Sequence, residues 1–346
     1  MEKFLNVLRG IKHKMVDHYD RNRPSPTKTK FFVTGYWGPG MRMMLKNIRH
    51  REDVSCIDKD VNVKYLKKFF ESCCKRKDKV TGNLHWEKFW YSRYTLSKIK
   101  YKRNDNNYII LFNSALTKYY SPAYFRWLKR KNPNIKLILY IVDQIDRCPR
   151  IPSFFSEFDV IYTIIDRDAK EYNLNYYPLL YSKLPFSEDK TQYDIYFCGT
   201  AVRRAEKLNS LHKKFKEQDI NDMFYVAGAS KEEACCEGIE YNKALTYEEN
   251  VAMVMKSNCL LEVMHTGVNA PTQRYLEALC YNKKLLTNNQ YVCQYPYYNP
   301  EYIQVFSSID DIDFAWISQK ADVDYHYQGD YEPNIFLEDI RNRLKK

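Results

Sequence analysis

No apolar run in this 346-residue chain approaches the roughly 20 residues needed to cross a bilayer, and the opening MEKFLNVLRGIKHKM breaks its apolar positions with charges. Neither a membrane span nor an export signal is read there. The ten cysteines form no Cys-x-x-Cys pair and have no histidine partners at zinc-ligand spacing, so they read as reduced cytosolic thiols. Internal repeats and low-complexity tracts are absent, which excludes solenoids and disordered linkers as the main architecture. An RNP-like motif and a recognisable helix-turn-helix are missing too, so nucleic acid is not an expected partner.

What is present is a globular composition, with 45% hydrophobic and 28% charged residues, in a length that suits two domains. The charge is unevenly placed. Residues 1–130 hold 30 Lys and Arg against 11 Asp and Glu, whereas residues 131–346 hold 25 against 32. A basic first third suggests contact with an anionic surface: lipid headgroups, a lipid pyrophosphate or nucleic acid. A solvated basic face that only confers solubility is the plainer reading. Residues 2–19 put Phe4, Leu8, Ile11 and Met15 on one helical stripe with basic residues elsewhere, which describes a basic amphipathic helix suited to a membrane interface or to packing on the domain body. RNRPSPTKTK then reads as a linker, giving a segment 1–30.

From residue 31 short apolar runs alternate with helical patterns. FFVTG, YIILFN, KLILYIV, DVIYTI and YPLLY read as strands up to residue 182, and YDIYFCG, MFYVAG, CLLEVM and KLLTNN as strands from 193 onward. Helices are expected between them, at 121–131, 201–217, 246–256 and 272–280, with a final amphipathic helix from Pro333. Strand, helix, strand in series requires parallel pairing with helices on both faces. The expectation is therefore α/β, with doubly wound Rossmann-like domains at 31–182 and 183–330, a C-terminal helix at 331–346 and a ligand cleft between the two domains.

The richest stretch for chemistry is CLLEVMHTGVNAPTQRYLEALCYNKKLLTNN, residues 259–289. Its strand brings Glu262 and His265 to the cleft edge, Thr272 is a plausible N-cap, and the positive start of the following helix suits a diphosphate. Arg274 lies in the first turn and Glu277 one turn later. A capping pattern or a surface ion pair would produce the same letters. After the first strand, Tyr36, Trp37, Gly38 and Gly40 make a turn facing the cleft; Trp37 stacks on a sugar or is core packing. YWGPG is not a Gly-x-Gly-x-x-Gly fingerprint, which disfavours NAD. Asp143, just past a buried strand, is the candidate general base, with His265 second; a hinge aspartate and a structural histidine are the plainer readings.

Residues 259–289 resemble the donor-binding segment of GT-B glycosyltransferases of lipopolysaccharide-core and capsule biosynthesis, including spore-maturation-type proteins. In that family a strand and small-residue loop lead to a T-x-R-x-x-E-A-L helix and a K-K-L-I-T-T-N-like strand, matched here by Thr272, Arg274, Glu277, Ala278, Leu279 and KKLLTNN. YDIYFCGTAVRRAEKL and the run NPNIKLILYIVDQI to YYPLLY extend the likeness over about residues 105–290, and residues 1–30 and 45–104 match nothing. The resemblance implies a GT-B fold and transfer of a sugar from a nucleotide-sugar donor to a glycan or lipid-linked acceptor. It puts Glu277 on the donor ribose and Thr272 and Arg274 on the diphosphate. It also puts Gly199 and Thr200 where backbone approaches phosphate, Arg203 or Arg204 beside them, and Gly228 near the base.

Asp322 and Asp324 have Asp-x-Asp spacing but lie in a late polar segment, so no metal and no other cofactor is expected. The enzyme would then work in the cytoplasm, peripheral on the inner membrane face. A nucleic-acid-binding protein and a non-catalytic GT-B scaffold are the competing readings.

Overall fold

The computed structural model describes residues 28–36, 39–76, 84–186, 190–264 and 270–345. The expected helix at 2–19, Trp37, Gly38 and His265 lie outside them.

The first half contains β1 (Thr29–Thr34), α1 (Pro39–Met44), β2 (Val54–Cys56), α2 (Lys67–Lys75), α3 (Glu87–Trp90), β3 (Asn106–Phe112), α4 (Asn113–Tyr119), α5 (Pro122–Lys131), β4 (Ile135–Ile141), β5 (Val160–Thr163), α6 (Asp166–Tyr172) and β6 (Asn175–Tyr176). The second contains β7 (Tyr193–Thr200), α7 (Ala205–Glu217), β8 (Asp222–Ala227), β9 (Ile239–Tyr241), α8 (Tyr247–Met255), β10 (Ser257–Glu262), α9 (Gln273–Cys280), β11 (Lys284–Thr287), β12 (Ile303–Val305), α10 (Phe314–Ser318) and α11 (Pro333–Lys345).

Two six-stranded parallel sheets result, in the orders β2-β1-β3-β4-β5-β6 and β12-β11-β10-β7-β8-β9. In the second, the chain moves outward one way through β7, β8 and β9, then returns and moves the other way through β10, β11 and β12. Neighbours β7 and β10, paired through Ile195 with Cys259 and Tyr196 with Leu260, mark the point of reversal. In open α/β sheets the crevice past the carboxyl ends of such a strand pair is where ligands bind.

The strands form because their residues are apolar on both faces, as a sheet covered by helices on both sides demands. In β3 every residue from Asn107 to Phe112 is buried. Helix starts follow local chemistry. Ser121 caps α5 ahead of Pro122, accepting from Tyr124 N, and Thr246 and Glu249 cap α8 reciprocally. Two expectations shift. YPLLY is not a strand beyond Tyr176, in keeping with a Pro178 that has no N–H to donate. The helix expected from 201 starts at Ala205, because Arg203 adopts φ 58° in the turn before it.

The chain divides into two compact units. One takes in Arg51–Tyr140 and Cys148–Ile161 together with β1, and the other takes in α1 with the turn to His50, Ile141–Arg147 and everything from Tyr162. This division does not follow the expected boundary at 182/183, since tertiary contacts rather than chain order draw α1 and the 141–147 loop into the second unit. The first unit buries an aromatic stack in which Tyr94, Tyr120 and Tyr124 lie 4.4 to 5.3 Å apart. The second closes on Ile195, Leu208, Phe224, Leu261 and Leu286, contributed by strands and by α7.

Candidate functional site

Within the second unit a cavity of about 340 Å3 opens at the carboxyl ends of β7 and β10. Phe197 and Cys198 line it from β7, Leu261 and Glu262 from β10, Thr246, Tyr247 and Asn250 from the start of α8, and Thr272 to Arg274 with Glu277 from α9. Gly40 of α1 reaches it as well; a Cβ there would lie 3.5 Å from Gln273 Oε1. The cavity therefore sits at the strand reversal, where α7 and α9 begin, and the start of α8 borders it as well.

Thr272 caps α9, its Oγ1 accepting from Tyr275 N at 3.3 Å while its hydroxyl donates to Glu262. With that hydroxyl occupied, the donors that α9 presents are backbone N–H groups. Those of Gln273 and Arg274 find no acceptor among the described residues, because a helix cannot satisfy its own first turn. Glu262 is buried and also accepts from Thr287 Oγ1 at 2.5 Å. Burial pushes its carboxyl above the usual range, against the pull of the two threonine hydrogen bonds and of Arg274 and Arg204.

Arg274 and Glu277 face each other. Arg274 Nη1 lies 2.5 Å from Glu277 Oε2 without the alignment of a hydrogen bond, so the contact is an ion pair. Arg274 Nη2 donates to Cys198 O at 3.0 Å and the guanidinium stacks 5.3 Å from the Tyr196 ring. Glu277, 1% exposed, accepts at Oε1 from Asn250 Nδ2 at 2.9 Å and from Gln273 Nε2 at 3.2 Å. Tyr196 completes the chain by donating to Asn250 Oδ1 at 3.0 Å. The Glu277 carboxylate thus anchors Arg274, and both its oxygens are engaged in this structure.

Arg204 differs. Its Nε donates to Thr200 O at 2.6 Å, Nη1 to Val263 O at 2.5 Å and Nη2 to Thr200 Oγ1 at 3.3 Å, all neutral oxygens. Its guanidinium lies 5.3 Å from the Phe197 ring. Burial and then the repulsion of Arg274 lower its pKa, outweighing the opposing pull of the buried Glu262 carboxylate, which makes no ion pair with it. Gly199 makes room for this arm: a Cβ would stand 2.8 Å from Arg204 Nη2 and 2.9 Å from Phe197 Cζ.

The other candidates are placed as follows. Arg203 is exposed and outside the cavity lining, so of the arginine pair only Arg204 reaches it. Gly228, at φ 73°, turns the chain after β8 in open space. Tyr36 is buried in the first unit, donates to Asp58 Oδ1 at 3.0 Å and packs edge-on to Phe112 as a core ring. Asp143 is exposed just past β4, ahead of a turn that Asp168 anchors by accepting from Ile145 N at 2.9 Å. Asp143 is not among the cavity's lining residues. No cluster of three or more His, Cys, Asp or Glu that could hold a metal occurs among the described residues.

Asn250 and Tyr196 were not singled out from the sequence. The available signal was an asparagine on the apolar stripe of Tyr247, Val251 and Val254, a polar group that burial forces to find partners.

No family model matches this chain, and no curated protein matches it either. Solved structures do. An α-glucosyltransferase in complex with UDP and a 13-mer DNA aligns with a TM-score of 0.52 at 10% identity, over 92% of this chain and 100% of that one. The chain has the GT-B fold. Also similar are T4 phage BGT in complex with its UDP-glucose substrate, with a TM-score of 0.46 at 11% identity over 91% and 97% of the two chains, and TarM, with 0.46 at 10% over 72% and 58%.

Proposed function

We propose that this chain is a glycosyltransferase that binds a nucleotide-sugar in the crevice between β7 and β10. The observation that carries this reading is Arg204, a guanidinium that makes no carboxylate ion pair among the described residues, held at the strand reversal beside two helix N-termini and a second arginine. Anionic phosphate is the ligand such an arrangement favours. The solved α-glucosyltransferase with this fold was captured with UDP, which makes a uridine donor the first to test.

In the reaction the bond between the sugar's anomeric carbon and the diphosphate breaks, an acceptor hydroxyl forms the new bond, and negative charge collects on the departing phosphate oxygen. Arg204, Arg274 and the first-turn N–H groups of α9 would meet that charge as it develops, without a divalent ion. Asp143 is the proposed base for the acceptor proton. The acceptor is proposed as a glycan or lipid-linked chain of a surface polysaccharide, lipopolysaccharide or capsule, assembled on the cytoplasmic side of the membrane.

A second reading of the acceptor rests on the basic first third and on the DNA in the α-glucosyltransferase complex. The two separate in one experiment. The protein is screened against nucleotide-sugars by thermal shift and released nucleotide, then offered lipid-linked saccharide or duplex DNA as acceptor. Labelled product on the saccharide supports the proposal. Product on DNA transfers it to the second reading, and neither binding nor turnover with any donor overturns both.

A further inference from the structure

We infer that the first unit carries a docking surface for anionic lipid bilayers, built from the exposed rings of α2 and α3 and the cations around them. Phe69 of α2 and Phe89 of α3 both pack on the buried Trp90, at ring-centroid distances of 5.5 and 4.8 Å, yet remain 48% and 45% exposed. Tyr65, four residues before Phe69, is 99% exposed, and Trp86, which heads α3, is 64% exposed. Trp86 holds φ 59°, a left-handed conformation that bulky residues rarely adopt, and its carbonyl accepts from Phe89 N at 3.0 Å. Two half-exposed rings on one Trp90 floor, with Tyr65 and Trp86 exposed just ahead of the same two helices, are more apolar surface than a solubility role requires.

The charge around them selects the partner. The described residues from 65 to 100 carry eight lysines and arginines, all exposed, against two acidic residues, Glu71 and Glu87. Glu87 is already held by the Tyr91 hydroxyl at 2.7 Å. The Arg93 guanidinium lies 5.5 Å from the Phe89 ring, so cation and ring stand together. Phosphates on a duplex would take the cations and leave the phenyl rings in water. A bilayer takes both, with the rings at the boundary of headgroup and acyl chain and the lysines and arginines on acidic headgroups. The surface uses no residue of the donor cavity, so it stands or falls separately from the glycosyl-transfer reading.

The test is flotation of the full chain with phosphatidylcholine vesicles, with and without one quarter phosphatidylglycerol, alongside anisotropy with a short duplex DNA. Two double variants are compared with wild type after equal thermal midpoints are verified: Lys67→Glu with Lys68→Glu, and Tyr65→Ser with Trp86→Gly, the glycine accepting the left-handed backbone. Residues 1–27 stay in every protein, so differences report the α2–α3 surface alone. The inference expects tight binding only to the anionic vesicles. It expects a loss of at least tenfold in the lysine variant, since each cation near such a surface is worth about fivefold, and a loss of several-fold in the ring variant that added salt does not change. Vesicle binding at wild-type strength in both variants overturns it. So does weak vesicle binding with duplex affinity that both variants lose, which would make the surface a nucleic-acid site.

Discussion

The guanidinium of Arg274 and the carboxylate of Glu277 stand 2.5 Å apart, one helical turn from each other, with Glu277 almost fully out of water. Removing one member of such a pair leaves a buried charge without its partner, which costs about 3–5 kcal/mol. Glu277→Ala is therefore expected to lower the thermal midpoint by several degrees and to loosen Arg274. Glu277→Gln, which keeps the shape and an oxygen for Asn250, should lose less. Differential scanning calorimetry checks this; an alanine variant as stable as wild type that has lost only donor affinity would instead put Glu277 on the donor ribose.

Asn250 should act through Glu277. Asn250→Ala removes one hydrogen bond to a charged group, worth roughly 1.5–3 kcal/mol, and releases the Tyr196 hydroxyl. The expected result is weaker nucleoside diphosphate binding with unchanged nucleoside binding, restored in part by Asn250→Gln. Equal losses for both ligands would assign Asn250 to the base side of the cavity.

Gly199→Ala tests the space beside β7. The new Cβ falls within 3.0 Å of both Arg204 Nη2 and the buried Phe197 ring, so the guanidinium and the ring must both give way. Donor affinity should fall by about tenfold, the loss of one charge-assisted contact, and displacing the packed Phe197 ring should lower stability by about 1–3 kcal/mol. Titration calorimetry with circular dichroism separates the two; a folded variant with full affinity would show that Arg204 needs no such clearance.

The stability of the second unit should depend on His212. Its Nδ1 lies 2.6 Å from Asp222 Oδ2 and its Nε2 2.9 Å from Glu237 O, and the Asp222 hydrogen bond raises its pKa above 6.5. A histidine raised on folding stabilises fully below its unfolded value and loses that contribution as pH rises through the folded value. Wild type should therefore lose stability above about pH 6.5 more steeply than His212→Asn. Parallel slopes in urea melts across that window would refute the coupling.

Much of this frame was legible in the residues. Strands buried on both faces appear as unbroken apolar runs, and YDIYFCG, CLLEVM and KLLTNN coincide with β7, β10 and β11 to within two residues. Thr272 was readable as a cap because capping is local. The partner of Glu277 was not, since Asn250 lies 27 residues away on another helix and nothing local records that meeting. The strands β2, β9 and β12 have three residues each, too few to show a period. The aromatic stack of Tyr94, Tyr120 and Tyr124 escaped for a related reason: its rings come from separate short segments that only the fold assembles.

The arrangement of cations leads to the expectation that turnover survives chelation. Leaving-group charge met by Arg204, Arg274 and backbone N–H groups needs no divalent ion, so rates with and without EDTA should agree. Complete loss of activity restored by Mn2+ or Mg2+ would show that the arginines are insufficient.

The central claim is that Arg204 receives the donor's phosphates, and the most direct measurement is calorimetric binding of uridine and UDP to wild type and to Arg204→Gln. Glutamine keeps hydrogen-bonding capacity and removes the charge, so uridine affinity should be equal in the two proteins while UDP affinity falls by about tenfold to a hundredfold in the variant, the value of a charged contact. Wild-type UDP affinity in a folded Arg204→Gln protein would contradict the account.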